Sequence, residues 1–78
     1  MNYNERIISD ADVMLGKPVI KGTRITVELI LRKLSENIDL KELLECYPRL
    51  VQEDILAVLS YAADVISKEQ IIENANFS

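Results

Sequence analysis

The side chains that most enzymes use for acid–base or nucleophilic chemistry are scarce in this chain. It contains no histidine, and its single cysteine, Cys46, lies in an apolar helical pattern that predicts a buried structural thiol. The neighbouring carboxylates of Glu53 and Asp54 would point about 100° apart on a helix, so they cannot share a proton. A zinc site would have to be built almost entirely from carboxylates. The sequence therefore predicts no catalytic residues, no metal site and no cofactor.

The residues best suited to binding an anion are concentrated in the segment "GKPVIKGTRIT", residues 16–26. It combines three cations with hydroxyl groups and with glycines whose backbone N–H groups can reach phosphate oxygens. Its spacing differs from the G-x-x-x-x-G-K-[ST] pattern of a nucleotide-binding P-loop. We therefore expect this segment to contact phosphates if the protein binds DNA. The candidate DNA contacts are Lys17, Lys21, Thr23, Arg24 and Thr26.

The same segment also has a purely structural interpretation. Pro18 and Gly22 are residues that shape the start of an edge strand and a turn. Arg24 could pair with Glu28 four residues later, while the lysines keep an edge strand in water. Both interpretations remain open at the level of sequence.

Composition and charge define the class of protein. The chain has 78 residues, 49% hydrophobic residues and a net charge of −4, which predicts one globular domain too small to bury a large core. Residues 1–33 carry six basic and four acidic side chains (+2), whereas residues 34–78 carry three basic and nine acidic ones (−6). No apolar run is long enough to span a membrane, and no signal peptide is evident, so we expect a cytoplasmic protein.

Hydrophobic periodicity predicts a mainly α-helical domain. Residues 1–25 read as a ribbon of two short strands with a turn, and residues 26–66 as a three-helix core of the helix-turn-helix, homeodomain-like type. Thr26 is the expected N-cap of the first helix, Asn37 the expected left-handed residue at its end, and Asp39 the expected N-cap of the second helix. Residues 67–78 predict a short fourth helix, an extension of the third, or a tail. A generic three-helix bundle fits the same pattern.

The third helix carries more apolar surface than one core stripe needs. We expect Ile55, Leu59 and Ile66 to face the core, with Ala62 between them. The predicted solvent side includes Glu53, Asp54 and Ala57, and its carboxylates argue against this helix as a major-groove reader. The surplus apolar surface predicts a homodimer. The candidate dimer contacts are Leu56, Val58, Leu59 and Ala63.

Three motifs support a resemblance to a known family. G-K-P-V-I-x-G-T-R-I-x-V appears at residues 16–27, Y-P-x-L at residues 47–50, and E-D-I-x-x-x-L-x-Y-A at residues 53–62. Over residues 7–64 the chain resembles domain-of-unknown-function family 433. Where that family has a hydroxyl residue followed by proline, this chain has Val51 and Gln52, which predicts a weak N-cap for the third helix.

The resemblance implies a winged-helix or homeodomain-like fold, commonly dimeric, and an antitoxin that blocks a PIN-like ribonuclease toxin and binds its own operator. We expect neither a membrane nor a small-molecule substrate as a partner, and no enzymatic activity. Two alternatives remain open: a stand-alone DNA-binding transcriptional regulator, and a dimeric interaction module that does not bind nucleic acid. The candidate toxin contacts are the apolar residues of the C-terminal segment, Ile71, Ile72 and Phe77.

Overall fold

The computed structural model describes residues 3–68. Two short strands precede three helices, which confirms the predicted mainly α-helical domain with an N-terminal ribbon. Of the predicted C-terminal segment, residues 67–78, all but the first two residues lie outside the described residues, and so do the predicted toxin contacts. The strands and α-helices are β1 (Ile7–Ile8), β2 (Val19–Ile20), α1 (Val27–Ser35), α2 (Leu40–Cys46) and α3 (Gln52–Ser67). Single turns of 3-10 helix lie at Tyr3–Glu5 and Met14–Gly16.

The two strands form an antiparallel ribbon, with Ile7 opposite Ile20 and Ile8 opposite Val19. The other edge of β2 faces the segment that leads into α1, and there the Ile20 N–H donates to the Ile25 carbonyl at 2.9 Å. Ile7, Val19 and Ile20 are all buried, which holds the ribbon against the helices. The ribbon is therefore part of the core and not an appendage.

Side chains that cap the helices set the helix boundaries. The Thr26 hydroxyl accepts the Leu29 N–H at 3.0 Å, and Asp39 Oδ1 accepts the Glu42 N–H at 2.8 Å. Asn37 adopts a left-handed φ of 68° after α1. These three residues confirm the caps expected from the sequence.

The core lies where the ribbon, α1, α2 and α3 meet. Each contributes a fully buried side chain: Val19 from β2, Ile30 from α1, Leu43 from α2 and Val58 from α3. None of the helices within residues 3–68 is long and apolar enough to cross a membrane.

The buried face of α3 differs from the predicted one. Asp54, Ile55, Ala57 and Val58 are buried, which rotates the core-facing side by about 90° from the predicted stripe. Of the predicted stripe, only Ile55 is buried; Leu59 is exposed, as is Ile66. Val58 lies inside the protomer, so its assignment to the dimer interface was wrong.

An ion pair from the ribbon explains this rotation. Asp54, only 5% exposed, accepts Arg6 Nη1 on Oδ1 at 3.0 Å and the Val51 N–H on Oδ2 at 3.0 Å. The second bond is one half of a capping box, in which the side chain of the third helical residue accepts the N–H of the N-cap residue; the valine side chain has no acceptor for the other half. Because both carboxylate oxygens of Asp54 accept hydrogen bonds, this side chain can be buried. The helix face that contains Asp54, Ala57 and Val58 then lies against the core.

The prediction for Cys46 was also wrong, because the thiol belongs to an exposed residue. Helix α2 has only seven residues and fully buries only Leu43, so its last residue lies beyond the core.

Candidate nucleic-acid interface

The turn from Lys21 to Arg24 lies at the tip of a tight hairpin. Val19 forms a bridge with Thr26, and Thr23 N–H donates to the Ile20 carbonyl at 3.0 Å, which closes the turn. Lys21 and Arg24 are exposed on this tip. The hairpin therefore presents the cations of the turn to solvent on a backbone that is fixed by hydrogen bonds at its base.

The two threonines predicted as DNA contacts have structural roles instead. The Thr23 hydroxyl donates to the Ile20 carbonyl at 2.7 Å and accepts the Ile25 N–H at 3.0 Å. The Thr26 residue is 9% exposed, and its hydroxyl caps α1. Since both hydroxyls are bonded within the fold, we remove Thr23 and Thr26 from the set of phosphate contacts.

Arg49, 27 residues after Gly22 in the sequence, contacts the turn. It follows Pro48 in the connection between α2 and α3, and its Nη2 donates to the Gly22 carbonyl at 2.7 Å. A guanidinium has five N–H donors, and within residues 3–68 the other four donors of Arg49 bond no residue, which leaves them for a ligand. We call Lys21, Gly22, Arg24 and Arg49 together the cationic turn.

The cationic turn holds two cations that no described residue neutralises. Among residues 3–68, the Lys21 and Arg24 side chains form no ion pair or hydrogen bond with another described residue. Although the net charge of the protein is −4, these two cations can therefore bind an external anion. The surface depression beside Lys21 and Arg49 is also lined by Glu5, Arg6 and Asp54, and the last two pair with each other.

Lys17 lies apart from the cationic turn. It lines a separate, mostly apolar groove of about 500 Å³ along α1, with Pro18, Leu31 and Arg32 among the other residues. Its Nζ is 3.4 Å from Glu28 Oε1. The structure thus separates Lys17 from Lys21 and Arg24, the other two cations predicted to contact DNA.

Glu28 does not pair with Arg24, the partner that the structural interpretation of this segment proposed. It bonds Arg32 at 3.1 Å as well as Lys17, whereas the expected partner was Arg24. Hydrogen bonds from Arg32 and then from Lys17 hold the pKa of the Glu28 carboxyl below its usual range. The expected Arg24 pair was therefore wrong, which leaves that guanidinium unneutralised among the described residues.

Replacing Gly22 with alanine should strain the cationic turn. Gly22 has a φ of +80°, a conformation that costs an L-residue roughly 1–2 kcal/mol. Space is not the limit, since the added Cβ would lie 4.0 Å from Arg49 Nη2. We expect a loss of that size in the free energy of unfolding, measured by urea denaturation; an unchanged value would show that the turn does not require this backbone. Lys21→Ala, at an exposed neighbouring position, is the control and should leave the value unchanged.

Helix α3 offers no comparable surface for phosphate. Gln52–Ser67 contains no lysine or arginine, and its exposed side carries Leu56, Leu59 and Ile66. Residues 3–68 also contain no group of three histidine, cysteine, aspartate or glutamate side chains that could hold a metal ion. Of the described surfaces, the cationic turn is therefore the best candidate for a nucleic-acid contact.

Comparison with known proteins places these residues in a family. The family described as "Protein of unknown function (DUF433)" matches residues 7–62, well over half of the chain. This chain belongs to that family. The DUF433 match, residues 7–62, includes the ribbon, the whole cationic turn and α3 as far as Ala62.

A curated relative and the solved structures add the following. The chain is 61% identical over 28 residues to an "Uncharacterized protein" of Archaeoglobus fulgidus, a match that covers 36% of this chain and 78% of the relative. No solved structure matches this DUF433 protein.

Proposed function

We propose that this protein is an antitoxin-type DNA-binding regulator whose cationic turn contacts phosphates of its operator. The observation that carries the proposal is the exposure of Lys21 and Arg24, without ion-pair partners among the described residues, beside the Arg49 guanidinium. Phosphate attraction supplies most of the non-specific affinity of a protein for DNA, so cations free of carboxylates are the groups that matter.

The geometry of the hairpin suits this role. Its tip projects from a base held by hydrogen bonds of 2.7–3.0 Å, so the cations meet the DNA on an ordered backbone. Arg49 is oriented by its bond to the Gly22 carbonyl, which reduces the side-chain freedom that binding would otherwise remove. These contacts would fix the position of the protein on the duplex without reading its sequence.

The protein partner in this proposal is a PIN-like ribonuclease toxin, which the antitoxin blocks by covering its active site. The protein itself performs no chemistry in this role, and it acts in the cytoplasm, where the operator is. The candidate contacts Ile71, Ile72 and Phe77 remain a prediction from the sequence. Among the described residues, the apolar groove of α1, with Lys17 and Arg32 on its rim, is a further surface for a protein partner.

Co-expression tests the toxin half of the proposal. The protein and the product of an adjacent PIN-like reading frame should co-purify, and the complex should lack the ribonuclease activity of the isolated toxin. An I71E/F77E variant should lose the toxin. M14E/L15E, which adds two carboxylates at exposed apolar side chains outside that segment, serves as the matched control. If the two products separate while DNA binding persists, the protein is a stand-alone regulator and the antitoxin assignment fails.

A further inference from the structure

The groove along α1 shares no residue with the cationic turn. It has a volume of about 500 Å³, and its apolar lining consists of Pro18, Val27 and Leu31. Its lining residues on α1 extend from Val27 to Ser35, about two turns of helix or 12 Å. Sites for small organic ligands have volumes of roughly 300–1,000 Å³. The α1 groove is therefore large enough for a small ligand with a hydrocarbon chain.

Polar groups along the α1 groove are already bonded within the fold. The Thr26 hydroxyl caps α1, and the Ser35 hydroxyl donates to the Arg32 carbonyl at 2.7 Å. The Val27 N–H donates to the Pro18 carbonyl at 3.0 Å. A polar group that entered the groove would lose its hydrogen bonds to water without replacing them. The part of a ligand that lies in the groove must therefore be apolar.

The rim of the α1 groove carries more positive than negative charge. Lys17 and Arg32 both pair with the single carboxylate of Glu28, at 3.4 and 3.1 Å, and its lowered pKa keeps this carboxylate ionised at neutral pH. Two cations and one carboxylate leave an excess of one positive charge among the lining residues. The three side chains are 52–73% exposed, so water screens their ion pairs and another carboxylate can exchange into them.

One edge of the Arg32 guanidinium is available to such a carboxylate. Its Nε and Nη2 both donate to Glu28 Oε2, at 3.3 and 3.1 Å. Its Nη1 bonds no other residue of the described part of the chain. A guanidinium presents its donors in a planar fork that matches the two oxygens of a carboxylate. The edge formed by Nη1 and Nη2 can therefore hold a ligand carboxylate at the rim of the groove.

We propose that the α1 groove binds an aliphatic monocarboxylate of medium chain length. The hydrocarbon chain lies on Pro18, Val27 and Leu31, and the carboxylate bonds Arg32 and is attracted by Lys17. One carboxylate neutralises the excess charge of the rim, whereas a phosphate monoester, with a charge of about −1.5 to −2 at neutral pH, would exceed it. This inference goes beyond the proposed function and does not depend on it. A bound ligand would cover the surface that is otherwise open to a protein partner.

Titration with octanoate tests the proposal on the intact chain. Methyl signals of the ¹³C-labelled protein are followed by NMR, and octanoate is kept below the concentration at which it forms micelles. We expect saturable shifts of the Val27 and Leu31 methyl signals. Each buried methylene contributes up to about a fourfold gain in affinity, so hexanoate should bind more weakly by up to about fifteenfold.

A variant that keeps the apolar surface tests the role of the carboxylate. K17M/R32M removes both cations but retains their hydrocarbon stems. It should weaken octanoate binding about tenfold and leave the binding of the uncharged octanol unchanged. The matched control is K41M/K68M, which removes two exposed cations outside the groove and should retain the wild-type affinity for octanoate. Circular dichroism of each variant establishes that it has folded.

Two results would overturn the proposal. Equal affinities of the wild type and K17M/R32M for octanoate would show that the rim does not hold the carboxylate. Shifts confined to the exposed apolar side chains of α3, such as Leu56 and Leu59, or the absence of shifts at Val27 and Leu31, would show that the groove does not take the chain.

Discussion

Replacing Asp54 with alanine should lower the free energy of unfolding by roughly 2–3 kcal/mol, although the residue touches neither proposed partner. The change removes a charged hydrogen-bond acceptor from Arg6 and from the Val51 N–H. A hydrogen bond to a charged group contributes about 1.5–3 kcal/mol, and the Arg6 bond contributes less than this because water screens its partly exposed guanidinium. Arg6 is 39% exposed and can return to water, so we do not expect the full penalty of an orphaned buried charge.

Urea denaturation of both proteins at equal concentration measures this loss. Glu53→Ala is the matched control, because Glu53 is a neighbouring carboxylate in the same first turn but is exposed, and its loss should change stability by less than about 0.5 kcal/mol. Asp54→Asn keeps an acceptor for the Val51 N–H and should fall between the wild type and D54A. If D54A were as stable as E53A, the ion pair would not be what turns this face of α3 inward.

The elements of the fold were predictable because their signals are local. Thr26 and Asp39 bond N–H groups three residues away, and Asn37 takes its left-handed conformation within a single turn. For each of these residues, the nearest few residues in the sequence are enough to predict the cap. Helix boundaries and the ribbon could therefore be read from the chain itself.

The buried face of α3 was not predictable in this way. Periodicity placed Asp54 in solvent, as it should for a carboxylate without a partner. The partner is Arg6, 48 residues earlier, which the ribbon brings to the start of the helix. Arg49 was missed for the same reason, because the Gly22 carbonyl that it bonds lies 27 residues away. Both errors concern pairs that only the tertiary fold creates.

Reversing two charges of the cationic turn should have the largest effect on function. In K21E/R24E two cations that pair with no residue of the described part of the chain become carboxylates beside Arg49, so each proposed phosphate contact becomes a repulsion. We expect affinity for a short labelled duplex of mixed sequence to fall more than about tenfold at low salt. Fluorescence anisotropy measures it, and stability should remain close to that of the wild type because both residues are exposed.

A matched variant separates the site from the overall charge. Lys41 and Lys68 are also exposed, and K41E/K68E changes the net charge by the same amount at positions outside the cationic turn. This variant should retain most of the affinity. Equal losses in the two variants would mean that the protein responds to its net charge and that the cationic turn is not a specific contact.

The salt dependence of binding tests most directly the central claim that the cationic turn contacts phosphates. Each neutralised phosphate contributes about −0.9 to the slope of the logarithm of the affinity against that of the salt concentration. K21A/R24A should therefore reduce the magnitude of the slope by about 1.8 per bound protomer relative to wild type. Equal slopes for the two proteins would contradict the claim, because the two cations would then displace no counterions from the duplex.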